Sequence, residues 1–327
     1  MSAQPPAAGV ASRLVRFVGD RIGAGGPGEG RRLCILNYHR ILEAPDPLLE
    51  AEPDAATFRW QMQVLADCFN VLPVHEALAA LADGSMPPRA VCITFDDGYR
   101  STHDLALPIL REFGFPATVF VTTGHIDNGS MWNDRILDAL RSMPAGPLDL
   151  AEAGLGSYPL DTLEARNKTV TSLTQTAKYL PPQQRQELVE LLEARAGCPR
   201  RELMLSRDMV RTLAQQNIEI GAHTISHPIL TSLDDATAAH EIAESKRQLE
   251  AITGRPVRYF AYPNGKHGMD FDERHMAMAK DAGFEAAFTT AMGAASRAHD
   301  RYALPRSRPW DVTRPFYIFR ILRWLAG

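Results

Sequence analysis

No apolar run in this 327-residue chain approaches the roughly 20 residues needed to cross a bilayer. A membrane span is therefore not expected. Cysteine is scarce: Cys34, Cys68, Cys92 and Cys198 show no metal-type spacing and are too few for a disulfide framework at this length. Cys34 and Cys92 lie in apolar strand-like runs and Cys68 in an apolar helical one, where small buried thiols are expected. Neither sign of charge dominates. The chain has 35 Lys and Arg against 39 Asp and Glu, a net charge of −4, which gives no sign of a nucleic-acid partner. The N-terminal stretch lacks a basic region followed by an apolar core, and residues 14–20 are broken by charge, so a cytoplasmic location is expected. No internal repeat stands out. What remains is ordinary: 45% apolar and 23% charged residues, in a length that suits one large α/β barrel or two small domains.

Within that chain one stretch is unusual, Thr94-Phe95-Asp96-Asp97-Gly98. It follows Ala90-Val91-Cys92-Ile93, an apolar run of the kind that forms a short buried strand. Neighbouring side chains of an extended chain point to opposite faces, and a turn after the strand re-aims them. Gly98 permits that turn where a residue with a Cβ would resist it. Two carboxylates held close repel unless one binds a cation or a proton. A division of labour relieves the repulsion: one Asp ligates a metal, and the other stays free as a base toward water.

One carboxylate does not hold a catalytic metal, so histidines should stand elsewhere. His223-Thr224-Ile225-Ser226-His227 supplies them, at the end of the strand-like run Ile218-Glu219-Ile220-Gly221-Ala222. Histidines at i and i+4 meet one ion if the segment between them forms a helical turn. Asp97, His223 and His227 together offer one carboxylate and two imidazoles. Positions remain for water and substrate, as in a catalytic rather than a structural site. Such nitrogen and oxygen donors suit a divalent metal, zinc first. Asp-Asp-Gly alone is an ordinary turn. The joint occurrence of both motifs at two strand ends is what points to a metal site.

Residues 1–30 are rich in Ala, Gly and Pro and read as a flexible arm with one short helix over residues 12–22. The ordered part begins with Leu33-Cys34-Ile35-Leu36-Asn37-Tyr38-His39, a strand ending in a histidine. His39 is either a functional group on the same face as Asp96 or a histidine bonded to a loop. Helices are expected over residues 57–69 with Thr57 as cap, 74–83 stopped by Gly84, and 101–113 kinked at Pro108. Others follow over residues 206–217 capped by Ser206, 235–252 and 273–282. Strands fall at residues 71–73, 115–122, 257–262 and 286–290. The run from Glu241 to Arg247 reads as a solvated, mixed-charge face. Alternating strands and helices, with polar residues at strand C-termini, predict a parallel α/β barrel. Residues 311–327 read as a basic amphipathic helix. Peripheral contact with a membrane is one use for it, and packing on the barrel is the commoner one.

The TFDDG and HxxxH stretches, with Phe260-Ala261-Tyr262-Pro263-Asn264-Gly265 after them, resemble the polysaccharide deacetylase family, the NodB-homology domain of carbohydrate esterase family 4. The resemblance covers about residues 33–309. It is strongest to bacterial members that open with a "YHR" segment and are tied to exopolysaccharide modification. It implies a distorted (β/α) barrel over residues 31–310 and metal-dependent hydrolysis of N-acetyl or O-acetyl groups on a polysaccharide or saccharide precursor. Compact members place their metal histidines much closer to the Asp pair, so about residues 131–201 read as a helical insertion. Trp132 within it either stacks on a sugar or anchors the insertion to the barrel, the second being commoner. The resemblance further implies that Asp97, His223 and His227 hold the metal. Asp96 would take a proton from the attacking water, and Tyr262 would offer its backbone N–H to the oxyanion.

Two places depart from the pattern. Many members carry an arginine just before the third motif to orient the base, and here Phe260-Ala261 stands there. Many carry a late histidine as general acid, and the matching region is Tyr302-Ala303-Leu304-Pro305-Arg306. The acid's role falls to His39 or to a water, and Arg306 is an alternative source of the missing charge. Two other readings compete. One is a saccharide-binding barrel without turnover, against which the retained Asp96 speaks. The other is a related hydrolase of small non-peptide C–N bonds.

Overall fold

The computed structural model describes residues 10–22, 30–309 and 311–327. The remainder of the expected flexible arm, residues 1–9 and 23–29, lies outside the described residues. The chain divides into two compact units. One comprises residues up to 44, 51–124 and 205–327, and the other residues 45–50 and 125–204.

In chain order the strands are β1 (Leu33–Tyr38), β2 (Asn70–Val71), β3 (Ala90–Phe95), β4 (Ala117–Val121), β5 (Pro147–Asp149), β6 (Ser157–Pro159), β7 (Ile218–Ala222), β8 (Tyr259–Ala261) and β9 (Ala286–Phe288). The helices of the first unit are α1 (Val10–Ile22), α2 (Ala55–Cys68), α3 (Val74–Asp83) and α4 (Leu107–Phe113), then α8 (Arg207–Gln215), α9 (Asp235–Thr253), α10 (Glu273–Asp281) and α11 (Arg314–Ala326). Those of the second are α5 (Trp132–Ser142), α6 (Leu163–Tyr179) and α7 (Pro182–Ala196).

The first unit is built on one parallel sheet in the order β1-β3-β4-β7-β8-β9, with β2 also paired to β3. Every residue of β1, β3 and β4 is buried, as parallel strands covered on both faces require. Residues 304–307 join the two ends of the row. Leu304 bridges Phe288 of β9, and Ser307 bridges Leu36 of β1, both in parallel sense. Ser307 N–H donates to the Ile35 carbonyl at 2.8 Å, and Asn37 N–H donates to the Ser307 carbonyl at 3.0 Å. The sheet thus curls into a (β/α) barrel of the expected class. Its core includes Phe120, Tyr259, Ala261 and Phe288.

Local signals held with particular exceptions. Asp54, not Thr57, caps α2: its carboxylate accepts the Thr57 N–H at 2.7 Å. Pro108 does not kink a single helix. It sits in the first turn of α4, where its missing N–H costs nothing, and a π-turn over Thr102–Ala106 precedes it. Gly84 and Gly254 end their helices in the left-handed conformation, at φ 84° and 66°. α11 packs on α2 and β1, burying Tyr317, Ile321 and Leu325. The Tyr317 and Tyr38 hydroxyls meet at 3.1 Å, and Tyr38 donates to Gln61 Oε1 at 2.9 Å.

The second unit has its own core, in which Ile136, Leu140, Leu173, Val189 and Leu192 are buried. Arg135 on α5 grips Glu193 on α7 through two hydrogen bonds of 2.7 Å. Trp132 packs against this core with the Arg185 guanidinium 5.1 Å above its ring. β5 and β6 pair antiparallel.

Candidate metal centre

Parallel strands put all their C-terminal ends on one rim. The register aligns those ends. Tyr38 pairs with Phe95, so His39 and Asp96 leave the sheet at the same level. Val121 pairs with Ala222, and His223 N–H donates to the Val121 carbonyl at 3.1 Å. After Asp96 the chain turns at once. Asp97 and Gly98 both adopt the left-handed conformation, at φ 72° and 85°. A Cβ at Gly98 would lie 2.9 Å from Val121 Cγ1, so glycine is required by conformation and by space. Asp97 has no such freedom, and holding it there costs on the order of 1–3 kcal/mol. That turn swings its carboxylate toward the histidines.

His223 and His227 do not meet on a helical turn. Thr224 and His227 are themselves left-handed, at φ 66° and 55°, and an irregular bend brings the two rings to a centroid separation of 5.0 Å. The Asp97, His223 and His227 ligand atoms lie within 4.8 Å of one another. Both His223 Nε2 and His227 Nε2 stand 3.4 Å from Asp97 Oδ1. A tetrahedral zinc site with bonds of about 2.0–2.1 Å has edges of roughly 3.3–3.4 Å.

The far side of the His223 ring decides what these nitrogens can do. Nδ1 lies 2.7 Å from the Ala261 carbonyl oxygen. A carbonyl only accepts, so Nδ1 carries the hydrogen and Nε2 of the neutral ring presents a lone pair. That lone pair faces a carboxylate oxygen, which is another acceptor. The pair is stable only with a cation between them. Without a metal, a proton meets the same need. Burial works against the charged His223 ring, yet the Asp96 and Asp97 charges raise its pKa overall. Burial likewise opposes the Asp97 carboxylate, yet His223, His227 and His39 hold its pKa far below the usual range. The donor set therefore fits a divalent cation.

Asp96 faces a different neighbour. Arg306, 1% exposed, makes a two-pronged contact: Nη1 donates to Oδ1 and Nη2 to Oδ2, each at 2.6 Å. Arg306 also donates to the Thr289 carbonyl and to Thr94 Oγ1, and Asn37 Nδ2 donates to Asp96 Oδ2 at 3.2 Å. Burial would raise the Asp96 pKa, but Arg306, then His223 and His39, bring it below the ordinary value. The charge absent from Phe260-Ala261 is thus supplied by the segment that closes the barrel. Asn37, a polar residue inside an otherwise apolar strand, was the available signal for the other donor.

His39 belongs to the same rim, leaving the sheet level with Asp96. Its Nδ1 is buried with no hydrogen-bond partner among the described residues. Tyr262 is placed otherwise than expected. Its N–H donates to the Phe288 carbonyl at 3.0 Å, as part of the β8–β9 ladder. Its hydroxyl donates to the Tyr302 carbonyl at 3.0 Å, and its ring stacks on Phe271 at 3.8 Å. A backbone N–H engaged in the sheet does not serve an oxyanion, so that expectation for Tyr262 is corrected.

Glu241 also departs from its expected place on a solvated face. Its Oε2 accepts the N–H groups of Ile225 and Ser226 at 2.7 and 2.9 Å, and its Oε1 accepts the Ser226 hydroxyl at 2.6 Å. The carboxylate on α9 thus holds the bend between the two histidines. Glu241→Ala is expected to weaken zinc binding to the metal-free protein by roughly tenfold or more, the scale of outer-shell losses. Glu241→Gln, which keeps an acceptor, should lose less. Titration calorimetry checks both, and unchanged affinity in Glu241→Ala would remove this role.

A family model described as polysaccharide deacetylase matches residues 83–287. The Bacillus subtilis protein YxkH, named for the same family, is 22% identical over 281 residues, covering 85% of this chain and 71% of that one. The poly-β-1,6-N-acetyl-D-glucosamine N-deacetylase of Staphylococcus epidermidis is 33% identical over 116 residues, which is 31% of this chain and 40% of that enzyme. The match thus spans less than two thirds of the staphylococcal enzyme's length. Among solved structures, the Streptococcus pyogenes deacetylase PplD in complex with acetate superposes with a TM-score of 0.61 at 19% identity, over 90% of this chain and 99% of that one. IcaB from Ammonifex degensii superposes at 0.59 and 18% identity, over 91% and 99%. At these identities the likeness is one of fold.

Proposed function

The chain belongs to the polysaccharide deacetylase family, and from that premise we propose that it hydrolyses acetyl groups from an acetylated saccharide at a zinc ion held by Asp97, His223 and His227. The observation that carries this is the lone pair of His223 Nε2 aimed at Asp97 Oδ1, beside a second carboxylate that is tied to Arg306 instead. When bound, a divalent cation there acidifies water and polarises an acyl oxygen. Asp96 takes the proton of the attacking water, and Arg306 with Asn37 fixes the carboxylate's orientation. Metal content, together with acetate release from acetylated glycans and from small amides, tests the reading. Acetate from glycans that chelation stops and zinc restores is the expected result. Turnover of small amides alone, or saccharide binding without acetate release, would overturn it.

His39 is proposed as the proton donor to the departing amine, from its place on the rim level with Asp96 and from its buried Nδ1 that no described residue engages. His39→Ala should retain the metal and lose turnover. An amine departs poorly unprotonated, whereas an activated oxygen leaving group departs without help. The loss should therefore be larger on N-acetyl than on activated O-acetyl substrates. Equal losses on both would indicate positioning of substrate rather than proton donation.

A further inference from the structure

Large apolar side chains exposed on this chain are not scattered. Among the described residues, six of the ten most exposed lie on α1, on α11 or in the turn just before α11. The two helices pack together, so that a Cβ at Gly19 would meet Leu322 Cδ2 at 3.0 Å. Each also turns a second apolar face to solvent. On α1 that face carries Leu14, Phe17 and Val18, at i, i+3 and i+4. On α11 it carries Phe316 and Phe319, exposed by 67% and 62%. The barrel-facing stripe of α11 is already filled by Tyr317, Ile321 and Leu325. The phenylalanines are therefore additional to what the fold needs.

Charge on these helices runs opposite to that of the whole. α1 and α11 hold six arginines and one acid, Asp20, in a chain with a net charge of −4. Asp20 is taken by Arg89 at 2.7 Å. Arg16 donates to α2 carbonyls, and Arg320 is held by Asp311. Arg13, Arg314 and Arg323 are exposed with no ion-pair partner among the described residues. Arg21 lies 3.5 Å from the centre of the Phe17 ring. Exposed rings flanked by unpaired guanidinium groups, with no free acid, match one kind of surface.

We propose that the solvent faces of α1 and α11 together dock on a lipid bilayer carrying anionic headgroups. The apolar side chains enter the acyl boundary, and the arginines meet the phosphates. A second copy of this chain is the poorer occupant, because a self-complementary contact would set arginines against arginines. No helix among the described residues is long and apolar enough to cross a membrane, so the contact is peripheral.

The test sediments the full chain with vesicles of phosphatidylcholine, with and without phosphatidylglycerol. Wild type should pellet with the anionic vesicles and be released by salt. Phe316→Ser/Phe319→Ser and Leu14→Ser/Phe17→Ser should each lower partitioning by about tenfold or more. Arg314→Glu/Arg323→Glu should abolish the preference for phosphatidylglycerol. Acetate release from a soluble substrate should stay at the wild-type rate in all three. Arg314 and Arg323 are both exposed, so a folding defect in a serine variant leaves the charge arm decisive. Wild type remaining in the supernatant, or variants partitioning as wild type does, would overturn the proposal. A wild-type dimer that the serine variants dissolve would also overturn it, in favour of a second copy.

Discussion

Replacing either His223 or His227 by alanine is expected to strip the divalent metal from the protein and to end acetate release with it. Only three protein ligands converge here among the described residues, and a site that reserves positions for water and substrate has no spare donor. Losing one of three should exceed the roughly 10–100-fold cost of losing an outer-shell partner. The two variants should differ in one respect. His223 also ties the end of β7 to β8 through its 2.7 Å hydrogen bond to the Ala261 carbonyl. His223→Ala leaves that buried carbonyl without its donor, a cost of about 1–3 kcal/mol, and should lower the melting temperature of the metal-free protein more than His227→Ala does. Elemental analysis of the purified variants decides the matter. If both kept about one zinc per chain after dialysis, the ligand assignment would fall.

Asp96→Asn is expected to keep the metal and to lose turnover by roughly a hundredfold or more, the scale of removing a general base. The carboxamide cannot take a proton, and its NH2 would face the Arg306 donors at a position where two 2.6 Å hydrogen bonds now form. Some stability should be lost as well. Metal content and melting temperature separate that loss from chemistry, and wild-type turnover in Asp96→Asn would refute its role as base. The complementary variant, Arg306→Met, strands a buried carboxylate, which costs on the order of 3–5 kcal/mol. The sign of the pH effect follows from the lowered Asp96 pKa. The pair's stability is present above the ordinary aspartate range and is lost as pH falls through the lowered folded value. In Arg306→Met that lowering is gone and burial alone acts on the carboxyl, so the variant's stability deficit against wild type should be largest above the ordinary aspartate range and should shrink as pH falls.

Much of the rim that carries the candidate site is legible in the chain itself. Asp96 and Asp97 follow a run of strand period and are followed by glycine, and His223 ends another such run. In a parallel barrel all strand C-termini share one rim, so local pattern alone suffices to bring these residues near one another. α11 was legible as an amphipathic helix for the same reason, because a stripe of period 3.6 is a local property. The mixed-charge run on α9 shows where such reading stops. Glu244 and Arg247 do pair on the surface, but Glu241, with the same composition around it, turns inward to hold Ile225 and Ser226.

By itself, then, the sequence determined the barrel class and that Asp96, Asp97 and His223 would stand at strand ends on one rim. Each of these rests on residue type and on spacing along one or two strands. Tertiary structure alone decided which side chain would neutralise Asp96, because Arg306 reaches it only as residues 304–307 fill the gap between β9 and β1. It also decided that Tyr262 has no backbone N–H to offer, since the β8–β9 register engages that group with Phe288. Whether a buried charge is paired, or a backbone donor is free, depends on which distant segment completes the sheet beside it. That is a property of closure and register, and spacing along the chain does not carry it.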